Sequence, residues 1–268
     1  MPDTLLYPLA VAAYLGIAAY FRPGGPACCK PTGSSRLFLF VPLVLHLYLL
    51  NELVLPEAGL SLGFGTSFSA VAALTVLFYG VAAWHYPLAG MQGFVLLFGA
   101  LGVLLQRLMP EGHAIPTAGQ PLFRLHMLAA FAAYGLFAVA ALHAALIALA
   151  EKHLHRPVPP KMVANLPPLL TLEKLLFRMV ELGFLILTLT LLSGIVFSES
   201  IYGRAFPLTH MTVFGIASWG IYAALLSGRR VYGWRGKTAI YWTLAGFVTL
   251  LLAYVGVKFV LEVLLGRA

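Results

Sequence analysis

The sequence predicts an all-α membrane protein, a bundle of about eight transmembrane helices with both termini on the outer, periplasmic side. Three observations predict this class. Of 268 residues, 61% are hydrophobic and 10% are charged, whereas a soluble domain carries about 25% charged residues. The mean hydropathy is +0.92. The apolar residues form uncharged runs of roughly 20 residues, the length that a helix needs to cross the hydrocarbon of a bilayer.

Eight such runs define the predicted helices. Their approximate spans are 4–21, 36–55, 66–84, 88–106, 122–149, 178–198, 209–227 and 238–264. Because the loops between them are short, we expect residues 1–268 to form a single transmembrane domain. Leu169, Leu172, Leu176 and Val180 lead into the sixth span, and their helical period predicts an amphipathic segment lying on the inner surface.

The distribution of Lys and Arg predicts the orientation, since these residues are concentrated in cytoplasmic loops. With the N-terminus outside, twelve of the seventeen fall on the inner side: Arg22, Lys30, Arg36, Lys152, Arg156, Lys161, Lys174, Arg178, Arg229, Arg230, Arg235 and Lys237. The net charge of +8 then faces anionic lipid, and no nucleic-acid partner is needed to explain it.

One histidine falls near the middle of a predicted span. His46, in VLHLYLLNEL, lies in the second helix. A polar side chain at this depth is costly and usually faces the interior of the bundle. His46 is therefore either a ligand of a bound cofactor or a hydrogen-bonded packing residue.

His126 and His210 form a natural pair. Each opens a predicted helix and is followed by Met, in RLHMLAAF and LTHMTVFG. In the predicted topology both helices begin at the outer face, so both imidazoles lie at a similar depth. Neutral imidazole binds haem iron, copper or zinc, and two helices can supply the two axial positions of a haem. Interfacial anchoring of both side chains is the alternative.

Three segments carry a resemblance to a known family. They are LHMLAAFAAYGLFAVAAL, LEKLLFRMVELGFLILTLTLLSGIVFSESIYG and GWRGKTAIYWTLAGFVTLLLAYVGVKFV. In this order they resemble the membrane core of CcsA-type cytochrome c assembly proteins and their HemX/YpjD-like relatives, over roughly residues 60–266. The resemblance implies a multi-pass protein of the bacterial inner membrane that binds or handles haem.

The resemblance extends to single residues. His126 matches the external histidine that, in CcsA proteins, precedes a tryptophan-rich loop that binds haem. Here that region reads ESIYGRAFPLTHMTVF, with Phe206 as the only aromatic residue in the core of the motif. His210 is typical of the shorter HemX/YpjD-like branch. The resemblance therefore implies haem binding by His126 and His210 rather than haem transfer to apocytochrome.

No nucleophile with a neighbouring base, phosphate-binding loop or pair of carboxylates in a span indicates turnover, and we expect no enzymatic activity. Besides the lipid bilayer and haem, the expected partners include a membrane or cytosolic protein. That partner belongs to a second hypothesis, in which the protein is a membrane scaffold or regulator of haem biosynthesis. Copper or metal transport is a weaker alternative, suggested by the two His-Met pairs, because thioether and imidazole suit copper.

Overall fold

The structure, a computed structural model, describes residues 3–21, 37–51, 60–61, 63–86, 88, 91–109, 114–115, 120–153, 168–202, 209–257 and 259–260. Within these residues the chain forms eight helices. They are α1 (Asp3–Tyr20), α2 (Phe40–Leu49), α3 (Phe64–His85), α4 (Gln92–Leu108), α5 (Pro121–His153), α6 (Leu169–Tyr202), α7 (His210–Tyr232) and α8 (Lys237–Leu251). A π-helical turn, Leu252–Gly256, continues α8.

Two short strands complete the described elements. β1 (Leu60–Ser61) lies before α3, and β2 (Ala114–Ile115) lies before α5. They pair in antiparallel register, with Leu60 opposite Ile115. The all-helical class predicted from the sequence is confirmed, since this strand pair adds only four residues to a helical bundle.

Four helices in the described part of the chain are long and apolar enough to cross a membrane: α3, α5, the portion Leu169–Phe197 of α6, and α7. Three others, α1, α2 and α4, are apolar but shorter. α6 is longer than its predicted span, with 34 residues where the sequence predicted 178–198, and α2 is shorter, with ten residues where the sequence predicted 36–55. Residues 52–55 of that prediction lie outside the described residues.

The helices form two groups, α1–α4 and α5–α8, that meet where α3 packs against α5. Gly135 of α5 lies at this junction, and a Cβ added there would be 3.1 Å from Cβ of Leu74 on α3. Small residues of this kind let helix backbones approach closely within a membrane. The two halves are therefore joined by close helix packing.

A stack of two aromatic rings forms the centre of the second group. Phe137 of α5 and Tyr222 of α7 lie 3.9 Å apart at an interplanar angle of 11°. Glycines flank the stack: an added Cβ would lie 3.0 Å from the Phe137 ring at Gly183 and 2.7 Å from the Tyr222 ring at Gly246. The Tyr222 hydroxyl donates to the carbonyl of Thr243 at 3.3 Å. These contacts fix α5, α6, α7 and α8 around the two rings.

The segment before the sixth predicted span does not lie on a membrane surface, so that prediction was wrong. α6 is continuous from Leu169, and the side chains of Leu172, Leu176 and Val180 are fully buried. The carboxylate of Glu173 lies 3.6 Å from the guanidinium of Arg229 at the end of α7. This contact and the apolar face hold the segment within the bundle, because a partly buried charge is tolerated when it is paired.

Basic side chains are concentrated at one end of the bundle. The C-terminal ends of α5 and α7 and the N-terminal ends of α6 and α8 meet there, since Glu173 of α6 contacts Arg229 of α7. Of the nine described Lys and Arg residues, seven lie at this end: Lys152, Lys174, Arg178, Arg229, Arg230, Arg235 and Lys237. The other two, Arg107 and Arg124, lie at the end of α4 and the beginning of α5.

The first prediction concerns the aromatic stack. Gly246→Ala is expected to lower the free energy of unfolding by about 1–3 kcal/mol, the usual cost of overpacking, because the new Cβ would overlap the Tyr222 ring. Thermal unfolding of the detergent-purified protein measures this change. Gly220→Ala on α7 is the control, since a Cβ there meets nothing within 4 Å. Equal melting temperatures for the two variants would contradict this packing.

Candidate functional site

An apolar cavity of about 310 Å³ lies between α5, α6, α7 and the end of α8. This volume is at the lower end of the range for ligand pockets, about 300–1,000 Å³. The lining consists mostly of Leu, Ile, Phe, Ala and Met side chains, with His126, Tyr134, Thr190 and Thr212 as its polar members. The cavity is therefore suited to a largely apolar ligand with one polar attachment.

The hydroxyls that line the cavity already have partners. Tyr134 donates to the carbonyl of Leu250 at 2.8 Å, and Thr190 donates to the carbonyl of Ile186 at 2.8 Å. The hydroxyl of Thr212 lies 3.0 Å from that of Thr209, the N-cap residue of α7. Of the polar side chains that line the cavity, this leaves His126.

The hydrogen bonds of His126 favour one tautomer of its ring. Its Nδ1 lies 2.8 Å from Oγ of Ser193 on α6, and this hydroxyl donates its single hydrogen to the carbonyl of Thr190 at 3.1 Å. With this hydrogen engaged, Ser193 accepts the Nδ1–H of His126, and the lone pair is then on Nε2. A ligating histidine usually donates its other ring N–H in this way, which orients the ring. No described residue binds Nε2.

Two phenylalanines hold the imidazole ring in place. Phe123, one turn earlier on α5, stacks on His126 with ring centroids 6.3 Å apart. Phe197 of α6 lies 5.4 Å from the imidazole. On another side, a Cβ added at Gly194 would lie 3.6 Å from Cε1 of His126. The ring is thus ordered by neighbours from two helices.

The cavity opens on an apolar outer surface. Ile195 and Met211 at its rim are 40% and 39% exposed. Next to them Val196 and Val213 are more exposed still. Most of the apolar length of α6 and α7 likewise faces outward, as expected of helices that contact lipid. The opening of the cavity between these two helices therefore has an apolar rim.

His210, which the sequence predicts as the partner of His126, does not line the cavity. It is the first residue of α7 and is exposed. The residue after it, Met211, lines the cavity instead, as does Met127. From the sequence, both methionines were expected only as copper ligands. Ser193, whose hydroxyl bonds to His126, stands out in the sequence only as a small residue, and this did not predict its role.

His46 lies in the other half of the bundle, in a closed chain of hydrogen bonds. Ser69 donates to Oε1 of Gln106 at 2.6 Å, so it accepts the Nε2–H of His46 at 2.7 Å. The hydroxyl of Tyr14 then donates to Nδ1 of His46 at 3.0 Å. Gln106 in turn donates to the carbonyl of Leu49 at 3.0 Å. Both ring nitrogens of the fully buried His46 are therefore engaged.

Three further histidines lie in the described helices. His153, the last residue of α5, donates from Nδ1 to the carbonyl of Leu149 at 2.8 Å. The other two lie within α5 and at the end of α3. His143, fully buried on α5, donates from Nδ1 to the carbonyl of Val139 at 2.8 Å. The exposed His85 makes the same type of bond to Val81 at 3.1 Å. Neither residue lines the cavity. His113 and His155 lie outside the described residues.

These features define a multi-pass helical membrane protein with an apolar cavity that contains one oriented imidazole. The family model for cytochrome C assembly proteins matches residues 34–265, and the chain belongs to this family. The resemblance predicted from the sequence is thereby confirmed, and the protein is a multi-pass protein of the inner membrane.

Three relatives illustrate the family. The chain is 26% identical over 268 residues to "Inner membrane protein YpjD" of Escherichia coli (strain K12), with 96% of this chain and 97% of the relative covered. It is 33% identical over 87 residues to "Cytochrome c biogenesis protein CcsA" of Prochlorococcus marinus, covering 32% of this chain and 28% of that protein. A CcsA protein of Gloeobacter violaceus is 30% identical over 92 residues, covering 34% and 27%.

The second prediction tests the closed hydrogen-bond chain of His46. Ser69→Ala is expected to reduce stability by about 1–3 kcal/mol, the cost of leaving a buried donor and acceptor without partners. Thermal unfolding in detergent measures the loss. Thr75→Val on the same helix is the control, because the Thr75 hydroxyl bonds only to the carbonyl of Val71 within α3. A Ser69→Ala protein as stable as Thr75→Val would show that the chain contributes nothing.

Proposed function

We propose that the protein binds haem in the cavity between α5, α6, α7 and α8, with Nε2 of His126 as an axial ligand. One observation carries the proposal: His126 faces the cavity with Nδ1 donating to Ser193 and the Nε2 lone pair uncommitted. Neutral imidazole with its second nitrogen anchored is the usual axial ligand of haem iron. Membership of the cytochrome C assembly family supports the same ligand class.

The residues present fit this group. The lining is apolar, as the faces of the macrocycle require, and the opening between α6 and α7 lets part of a planar ligand extend beyond the 310 Å³ of the cavity. Arg124 lies two residues before His126 at the same end of α5 and is a candidate for the propionates. Arg204, the other candidate from the sequence, lies outside the described residues.

The role of this chain is to bind haem and to orient the imidazole of His126 toward it. When bound, haem would supply an iron that the Nε2 lone pair of His126 can coordinate. Ser193 holds the imidazole in the ligating tautomer, the two phenylalanines fix its plane, and the apolar walls exclude water from the iron. The proposal includes no catalysed reaction. Haem transfer to apocytochrome is not part of it either, because the tryptophan-rich loop is absent from the sequence.

The proposal does not assign His46 or His210 as ligands. Both nitrogens of His46 are hydrogen-bonded, so binding to iron would break one of its buried hydrogen bonds, to Tyr14 or to Ser69. His210 is exposed and does not line the cavity.

A second candidate function is a membrane scaffold or regulator that docks a protein through the basic end of the bundle. The supporting observation is that Lys174, Arg178, Arg230, Arg235 and Lys237 are exposed there. Docking of this kind does not use the cavity, so it would survive loss of His126. Copper transport is the third candidate, since Met127 and Met211 line the same cavity as His126.

We also propose that all eight helices cross the membrane with both termini on the periplasmic side. The basic end then lies in the cytoplasm, in line with the positive-inside rule, and His126 lies in the outer half of the bundle. With eight spans, the two chain ends fall on the same side.

The third prediction tests haem binding. His126→Ala is expected to remove the Soret band of the purified protein, because it deletes the one uncommitted imidazole in the cavity. His85→Ala is the control, an exposed histidine outside the cavity. Elemental analysis of the same samples separates copper from haem. Haem retained at the wild-type level in His126→Ala, or stoichiometric copper without haem, would overturn the proposal.

The fourth prediction tests the orientation. In a Cys28→Ser, Cys29→Ser background, single cysteines are placed at the exposed positions Gln120 and Tyr232, just before α5 and at the end of α7. A membrane-impermeant maleimide is expected to label Gln120→Cys in intact cells and Tyr232→Cys only after lysis. The reverse pattern would contradict the proposed topology.

A further inference from the structure

The two His-Met pairs do not occupy equivalent positions around the cavity. On α5 the lining residues are His126, Met127, Ala130, Phe131 and Tyr134, and on α7 they are Met211, Thr212, Gly215 and Ile216. Both sets follow the spacing i, i+1, i+4, i+5. In this register Met211, and not His210, is the α7 counterpart of His126.

Helix geometry explains why His210 does not line the cavity. At about 100° per residue, the four lining residues of α7 are centred roughly 70° beyond Met211, so His210 lies about 170° from the centre of that face. Its exposure agrees with this position. The similarity of LHM and THM in the sequence therefore conceals a shift of one residue in the structure.

α5 and α7 form opposite walls of the cavity. Each packs against α6 and against α8 or its π-helical continuation. Their own side chains meet deeper in the bundle, where Phe137 and Tyr222 stack. His126 and Met211 thus face the cavity from two different helices above this stack. Met127 is next to His126 on the same helix and contributes to the same wall.

We propose that the thioether of Met211 is the second axial ligand, opposite His126. This inference rests on the proposed function and specifies its ligand pair. Imidazole with thioether is an established axial pair for haem iron, and it gives a higher reduction potential than two imidazoles. Met211 meets the requirements that His210 does not, because it lines the cavity and comes from the opposite wall. Met211 is also flexible and 39% exposed, so its side chain can adjust to a ligand.

The test compares haem-loaded, purified wild-type protein with Met211→Leu, Met211→His, Met127→Leu and His210→Ala. The readouts are the far-red charge-transfer band of a thioether bound to ferric iron and the midpoint potential. Met211→Leu conserves volume at a partly exposed site, so the fold is expected to persist. We expect it to lose the band, and Met211→His to lower the midpoint potential. Met127→Leu and His210→Ala are expected to match the wild type.

The outcomes separate the two proposals. A Soret band that depends on His126, together with a Met211→Leu spectrum and potential equal to wild type, would overturn the thioether ligand and leave haem binding intact. Loss of the axial ligand in His210→Ala would assign that position to His210. A wild-type protein that takes up no haem would overturn both proposals.

Discussion

A ring nitrogen in the hydrocarbon region of a membrane has no water to bind, so each buried imidazole of this bundle depends on the protein for its hydrogen bonds. His46 satisfies this constraint at both nitrogens, through Tyr14 and Ser69. His126 satisfies it at one nitrogen, through Ser193, and turns the other toward a cavity. His143 also bonds through one nitrogen only, and its Nε2 has no described partner, but it does not line the cavity. A free ring nitrogen that faces a cavity therefore distinguishes a candidate ligand from a packing residue. The candidate site depends on the hydrogen bond from His126 to Ser193.

Small residues determine where the bundle is filled and where it stays open. Gly183 and Gly246 admit the stacked rings of Phe137 and Tyr222, which fill the space between α5 and α7. Nearer the beginning of α7, Gly194 and Gly215 line the cavity, and the imidazole of His126 lies beside Gly194 without filling the space. The same pairs of helices therefore build a packed layer and an apolar cavity next to each other, and the packed layer limits how deep a ligand can enter.

Much of the fold was predictable because hydrocarbon imposes a simple pattern on the sequence. The helical class, the order of the helices and the concentration of basic residues at one end follow from hydropathy and charge. The amphipathic segment before the sixth span was misread, because an apolar stripe looks alike whether it faces lipid or other helices. Leu172 and Val180 are buried because α6 packs against α5 and α7, and such tertiary contacts leave no local signal in the sequence.

The candidate site was predictable in part. The sequence identified His126 by its place at the start of a helix and by the family resemblance, and His126 lines the cavity. His126 was paired with His210 because the sequence indicates how deep each imidazole lies in the membrane. The rotation of one helix relative to another cannot be read from the sequence. Ser193 was equally hidden, since its role follows from the helix-to-helix contact between α5 and α6.

The most direct test of the central claim is the visible absorption spectrum of the wild-type protein, purified in detergent from cells with ample haem, oxidised and then reduced. The account predicts a Soret peak and sharp bands in the reduced form, the signature of iron with two strong axial ligands. A colourless protein that also fails to bind added haemin would contradict it, and the basic end of the bundle would then become the leading candidate site.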